Sequence, residues 1–102
     1  MADKLGILVT SNKYLDYIMK LTEAALARDK EVQIFFTGQS VLLTRAPEFA
    51  QLAEKAKVSV CDVSFRALCL KEEDVPCLGF KDFATQAKNA ELIKNSDRYL
   101  VF

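Results

Sequence analysis

Cysteine supplies the strongest nucleophile in this sequence, and the three cysteines are Cys61, Cys69 and Cys77. Cys61 lies in the segment VSVCDVSFRALC, where a run rich in β-branched residues meets a segment of helical composition. A thiol between the end of a strand and the start of a helix faces free backbone N–H groups and the positive end of the helix dipole, and both lower its pKa. Free cysteine is also one of the most buried residue types. Cys61 is therefore either a reactive thiol or an inert core residue.

The side chains expected near Cys61 act in both directions on its thiolate. Lys13, in the loop after the first apolar run, and Arg66 would each supply a stabilising cation, whereas the carboxylate of Asp62 would disfavour the thiolate. Ser64 falls at the predicted start of the helix, whose free N–H groups face the sulfur. If Cys61 is reactive, these residues predict a thiol whose pKa is lowered.

The other two cysteines are weaker candidates. Cys69 lies on the predicted helix, and we interpret it as a packing residue. Cys77 follows a proline in a loop and is a candidate resolving thiol.

Motifs with more specific chemistry are missing. The sequence has no histidine and no Cys-x-x-Cys pair, which excludes histidine-based catalytic triads and the common zinc sites. Cys61 and Arg66 enclose four residues, one fewer than the Cys-x5-Arg loop of cysteine phosphatases. The Walker and Rossmann glycine patterns are absent too, since the chain has only three glycines. We predict no metal site and no cofactor.

Length and composition indicate one folded domain over residues 1–102. Hydrophobic residues make up 51% of the chain, which is enough to bury a single core. Lys plus Arg equals Asp plus Glu at 14 each, so the electrostatic attraction that drives binding to nucleic acid or anionic membranes is missing. No apolar run approaches the roughly 20 residues that span a bilayer. Three cysteines without a secretory signal favour reduced thiols, and we predict a cytoplasmic protein.

Apolar patterning predicts alternating strands and helices. Runs of apolar residues predict strands at 4–10, 31–37, 57–63 and 98–102, and a weaker one at 77–80. Apolar residues at helical spacing predict helices at 14–28, 47–56, 64–70 and 83–95. This alternation predicts an α/β sandwich with a mostly parallel sheet of about five strands and helices on both faces.

The loops after the strands are the expected place for a site, because ligands and reactive groups collect at the carboxyl ends of parallel strands. The polar residues of the first two loops are candidates for a small-molecule pocket: Ser11, Asn12, Gly38, Gln39 and Ser40. The apolar patch Val41-Leu42-Leu43 comes next. Three consecutive apolar residues on a short helix cannot all face inward, so part of this patch is a candidate subunit contact.

Three segments in this order resemble the DsrE/DsrF-like family of sulfur-relay proteins: EVQIFFTGQSVLL, VCDVSFRALCLKEEDV and NSDRYLVF. The likeness covers nearly the whole chain. It implies a flavodoxin-like three-layer sandwich that assembles into a homo-oligomer, as a dimer, trimer or hexamer. It also implies a persulfide on the cysteine at the end of the third strand, and the matching position here is Cys61. The chain departs from the family at Cys69, where many members have glycine after the short helix.

The leading hypothesis is therefore a sulfurtransferase-like carrier that takes sulfur onto Cys61 from a donor protein and passes it to a cysteine of an acceptor protein. Two other classes of function remain open. One is a non-catalytic interaction or regulatory subunit of the same fold, in which Cys61 is structural. The other is a small-ligand binding module that uses the polar loops.

Overall fold

The computed structural model describes residues 3–102, except for the side chain of Phe80. Strands and helices alternate along these residues. The strands are β1 (Lys4–Val9), β2 (Glu31–Phe36), β3 (Lys57–Cys61), β4 (Phe83–Ala84) and β5 (Arg98–Val101), and the α-helices are α1 (Leu15–Leu26), α2 (Pro47–Lys55), α3 (Asp62–Ala67) and α4 (Ala87–Asn95). Short 3-10 segments occupy Gly38–Arg45, Glu72–Asp74 and Phe80–Asp82. No helix within residues 3–102 is long and apolar enough to cross a membrane.

The strands form one parallel sheet in the order β4-β3-β2-β1-β5. The chain moves outward from β1 through β2 and β3 to β4, and then crosses back to place β5 on the other side of β1. This arrangement confirms the predicted α/β sandwich, and the sheet is parallel throughout.

The two faces of the sheet bury cores of different size. On one face, Ile7, Ile34 and Val60 pack with Ile18 of α1 and Leu52 of α2 in the main core. The opposite face carries a smaller cluster formed by Phe35, Cys61 and Leu92, and Leu92 belongs to α4. Side chains alternate between the faces along a strand, so Cys61 points away from the main core and toward the thinner layer.

The edge strand beside β3 differs from the prediction. The predicted strand at 77–80 is wrong, and the strand is instead the two-residue β4, which pairs Phe83 with Val60 and Ala84 with Cys61. Phe83 therefore belongs to a strand and not to the helix predicted at 83–95. Its ring packs edge-on against that of Phe65, with 4.9 Å between the ring centroids. A strand this short carries no periodicity to recognise.

The apolar patch at 41–43 packs against the chain's own main core. Val41 is fully buried, and Leu42 and Leu43 are half-buried against the same core. The hydroxyl of Thr44 donates to the Val41 carbonyl at 2.7 Å, which stabilises the 3-10 segment that carries the patch. Leu42 and Leu43 are thus partly accessible although they contact the core, and the role of the patch as a subunit contact stays a prediction.

Cys69 is not the packing residue that the pattern predicted. It is exposed and has a φ of 60°, in the left-handed region. Its N–H donates to the Arg66 carbonyl, and the Leu70 N–H donates to the Phe65 carbonyl, which is the Schellman arrangement that ends α3. Glycine favours this position, so the cysteine here carries backbone strain.

Replacing Cys69 by glycine should stabilise the fold. Relief of the left-handed strain exceeds the added chain entropy of glycine, and we expect a gain of about 0.5–1 kcal/mol. Cys69→Ala removes the thiol and keeps the strain, so it is the matched control. Urea unfolding under reducing conditions measures both, and equal stability of the two variants would contradict the strain argument.

Gly6 lies where β1 passes closely beneath the end of α4. A Cβ at this position would overlap the side chain of Ser96 and would lie only 3.0 Å from Leu92 Cγ, which is shorter than an ordinary van der Waals contact. We expect Gly6→Ala to cost about 1–3 kcal/mol in the free energy of unfolding, because α4 must shift. Gly79→Ala is the control, since its Cβ would meet its nearest neighbour at an ordinary 3.7 Å. A Gly6→Ala protein as stable as the control variant would show that α4 moves freely.

Candidate functional site

The candidate site forms where β2, β3 and β4 end side by side. Phe36, the last residue of β2, pairs with Val60 of β3. Thr37, which follows Phe36, therefore lies beside Cys61, the last residue of β3. On the other side, Cys61 pairs with Ala84. α3 begins at the next residue, Asp62, earlier than predicted, so Cys61 occupies the N-cap position of the helix.

Three polar side chains converge on the Cys61 sulfur. The Gln86 side-chain amide nitrogen, Nε2, lies 2.9 Å from Thr37 Oγ1 and 3.6 Å from Cys61 Sγ, and donates to both. The Ser64 hydroxyl oxygen accepts the Gly38 N–H at 3.0 Å and lies 3.4 Å from Thr37 Oγ1. The Ser64 hydroxyl proton is thereby left to donate within the cluster. We call Thr37, Cys61, Ser64 and Gln86 the thiol cluster.

Burial and hydrogen bonding compete at this thiol. Cys61 is 3% exposed. Burial on its own raises the pKa of Cys61, but hydrogen bonds from the hydroxyl and backbone N–H of Ser64 and from the side chains of Thr37 and Gln86 lower it, and the net pKa is lowered. All of these donors are neutral, so the thiolate is stabilised by dipoles and not by a counter-ion.

The cations predicted to assist Cys61 lie elsewhere. The Arg66 guanidinium pairs with Asp62 and with Glu72, each at 2.9 Å, and the pKa of Arg66 is raised by its hydrogen bond to Glu72 and by the charge of Asp62. Lys13 is exposed, and its backbone N–H donates to the Ser11 hydroxyl at 3.3 Å. The prediction of a cation at the sulfur is therefore wrong for the described residues. Of the three proposed supporting residues, only Ser64 reaches the thiol.

Sequence reasoning missed two members of the thiol cluster. Thr37 ends the run EVQIFFT. Its position beside Cys61 follows from the register between β2 and β3, and the sequence alone does not give that register. Gln86 precedes α4 and is separated from Thr37 by 49 positions along the chain. No local pattern marks such a residue, because its role depends on where β4 ends.

The predicted small-molecule pocket is divided by the structure. Ser40 is fully buried, and its hydroxyl lies within hydrogen-bond distance of the Val9 and Thr37 carbonyls, where it ties β1 to β2. Ser11 and Asn12 lie outside the hollow of about 190 Å³ that Gly38 and Gln39 line with Ser64, Ala67 and Leu68. That hollow is smaller than the roughly 300–1,000 Å³ of most ligand pockets. The five residues therefore do not form one pocket.

Cys77 does not approach Cys61. It lines a hollow with Lys57, Val58 and Ser59 at the start of β3, whereas Cys61 ends that strand. The strand covers about 13 Å between its two ends. Although the residue is exposed, neighbouring atoms partly desolvate its thiol, and this desolvation and the Asp82 carboxylate raise the pKa of Cys77. The prediction of Cys77 as the resolving thiol for Cys61 is thus wrong for this conformation.

Comparisons with known proteins agree with this fold. The sequence model of the DsrE/DsrF-like family matches residues 3–102. The search of curated proteins found no match. Among solved structures, the chain is similar to a conserved protein of unknown function from Bacteroides thetaiotaomicron, with a TM-score of 0.72 and 21% identity, over 98% of this chain and 95% of that one. At this identity the neighbour supports the fold alone.

Removing the Gln86 amide should raise the pKa of Cys61, because one donor to the thiolate is lost while the burial remains. The test compares alkylation rates against pH in a protein whose other two cysteines are serine. The rate should rise with pH through a midpoint that lies higher in Gln86→Leu than in the parent. Gln51→Leu, on the exposed side of α2, is the control and should leave the midpoint unchanged. Equal midpoints in the parent and in Gln86→Leu would contradict this account of the thiol.

Proposed function

The chain belongs to the DsrE/DsrF-like family, and on that premise we propose that it is a sulfur carrier that holds a persulfide on Cys61 and passes the sulfur to a cysteine of a partner protein. One observation carries the proposal. The thiol at the end of β3 is surrounded by neutral hydrogen-bond donors that lower its pKa. Persulfide exchange needs a thiolate at neutral pH, and this environment favours one without a histidine base.

Loading is a displacement between two sulfur atoms. The Cys61 thiolate attacks the outer sulfur of a donor persulfide, a new S–S bond forms at Cys61, and the donor leaves as a thiolate. In delivery, the acceptor's thiolate attacks the outer sulfur on Cys61, and the Cys61 thiolate leaves. Each step forms one S–S bond and breaks one, so no outside oxidant or reductant is required.

The same donors serve both directions of the exchange. Hydrogen bonds that stabilise the Cys61 thiolate increase its population before loading and make it a better leaving group during delivery. A lower pKa also reduces intrinsic nucleophilicity, and a moderate shift is the useful one. Neutral donors suit that balance because they do not attract the thiolate as strongly as a buried cation would.

Access to the sulfur requires a movement at the thiol cluster. Cys61 is almost fully buried, whereas the Gln86 side chain that donates to it is exposed. In this proposal the incoming persulfide displaces the Gln86 side chain and approaches past Val63, which is 73% exposed and follows Asp62 at the start of α3. Val63 is two positions after Cys61 along the chain, and in this proposal the partner protein docks on this side of the thiol cluster.

We further propose that the carrier is a homo-oligomer, as a dimer, trimer or hexamer, in a reducing compartment such as the cytoplasm. β5 is an edge strand of the sheet and carries the exposed side chains of Leu100 and Val101. Unpaired strand edges and exposed apolar side chains favour association with another chain. The three free cysteines fit a compartment that keeps thiols reduced.

A second candidate function is a non-catalytic interaction subunit of the same fold. The observation that favours it is the burial of Cys61, since an inert cysteine would occupy the same place in the small core. Nothing comparable favours a small-ligand module that uses Ser11, Asn12 and the loop 38–40, because those residues do not form one pocket.

Sulfur loading separates these functions. After incubation of the reduced protein with glutathione persulfide, intact-mass and peptide mass spectrometry should find one added sulfur atom on Cys61. Cys61→Ser should abolish this addition, while Cys69→Ser and Cys77→Ser, each lacking one exposed thiol, should retain it. Circular dichroism verifies that each variant is folded. Uptake that persists in folded Cys61→Ser, or that maps only to Cys69 or Cys77, would favour the interaction subunit.

A further inference from the structure

Another hollow lies at the opposite end of the sheet from the thiol cluster. Its volume is about 520 Å³, and it opens between the second half of α1 and the starts of β1 and β5. Apolar side chains of Leu5, Leu21, Ala24 and Ala25 line part of it. This volume lies within the roughly 300–1,000 Å³ of small-molecule sites.

The charges around this hollow are unbalanced. Four basic residues line it, Lys4, Arg28, Lys30 and Arg98, against two acidic ones, Asp3 and Asp97. Both carboxylates already have partners, because Asp3 pairs with the Lys30 ammonium at 2.7 Å and Asp97 accepts the Lys4 backbone N–H at 2.7 Å. Within residues 3–102, neither Arg28 nor Arg98 forms an ion pair or a side-chain hydrogen bond. Two guanidinium groups are thus available beside an apolar surface.

The position of Arg28 alone has a structural explanation. It follows the end of α1, where the negative end of the helix dipole favours a cation. That explanation does not extend to Arg98, which lies on β5 and is brought to the same hollow only by the folded sheet. The convergence of the two residues on one cavity therefore needs a further reason.

We propose that this hollow binds a small organic anion, with its phosphate or carboxylate group between Arg28 and Arg98 and its apolar part on Leu21 and Ala24. Guanidinium groups bind such anions through paired hydrogen bonds with fixed geometry. The site is separate from the thiol cluster, because β1 runs from Lys4 beside the hollow to Val9 at the other end of the sheet. The anion site is thus distinct from Cys61, and it adds a binding activity to the carrier.

The test is a nuclear magnetic resonance titration of the isotope-labelled protein with phenyl phosphate and, separately, with benzoate. At least one anion should give saturable shifts at the amides of Leu21, Ala24 and Arg98. Benzyl alcohol, which keeps the ring and lacks the charge, should give none. The double variant Arg28→Gln, Arg98→Gln should weaken binding by about tenfold or more, as expected when charge-assisted hydrogen bonds are lost.

Arg45→Gln is the control variant, because Arg45 is also an exposed arginine and lies outside this hollow. It should leave the affinity unchanged. Three outcomes would overturn the proposal: no saturable shift at the hollow with either anion, equal binding of benzyl alcohol, or a loss of affinity in Arg45→Gln as large as in the double variant. The last would indicate attraction to net charge and not to a built site.

Discussion

The candidate site depends on the register of β2, β3 and β4. Phe36 lies opposite Val60 and Cys61 opposite Ala84, so Thr37, Cys61 and Ala84 lie in a row across three strand ends. A slip of β3 by one residue would turn Cys61 from the small core to the main core and remove it from its donors. The buried residues of β3 prevent such a slip, because it would turn Val58 and Val60 away from the main core and bring Ser59 into it. Packing of the main core thus holds the thiol in place from the opposite side of the sheet.

The chemistry of the thiol follows from the kind of donors that reach it. Burial disfavours the Cys61 thiolate, and hydrogen bonds from neutral groups outweigh that effect. Arg66, the basic residue one helical turn into α3, is paired with Asp62 and Glu72 instead. Neutral donors act at short range, so the thiolate should depend little on ionic strength compared with a site that relies on a surface cation. Selection of a partner would then come from the shape and apolar surface around Val63 more than from charge.

The sequence permits prediction of the features that repeat along the chain. Alternating apolar runs and helical spacing predicted an α/β sandwich with a mostly parallel sheet, and the same pattern placed Cys61 close to the end of the third strand. Features that depend on tertiary context were not predictable. β4 has only two residues, and it positions Gln86 beside the sulfur. Cys69 adopts a left-handed backbone conformation, which the residue type cysteine does not predict. The prediction that Arg66 supplies a cation at the sulfur was wrong. Helical spacing places Arg66 one turn after Asp62, and its guanidinium pairs with that carboxylate.

The most direct test of the account measures the rate of sulfur uptake against pH in a protein that retains Cys61 as its single cysteine. If the neutral donors generate the reactive thiolate, uptake from a persulfide donor should rise with pH through a midpoint below that of an ordinary cysteine. The midpoint for alkylation of the same thiol by a reagent that does not ionise should also lie below that of an ordinary cysteine, since this reaction uses the same thiolate. The carrier function would be contradicted if Cys61 took up no sulfur. Two controls make that result meaningful: the same thiol must react with an alkylating agent, and the donor must load a small-molecule thiol. A midpoint at or above that of an ordinary cysteine would contradict the role of the thiol cluster.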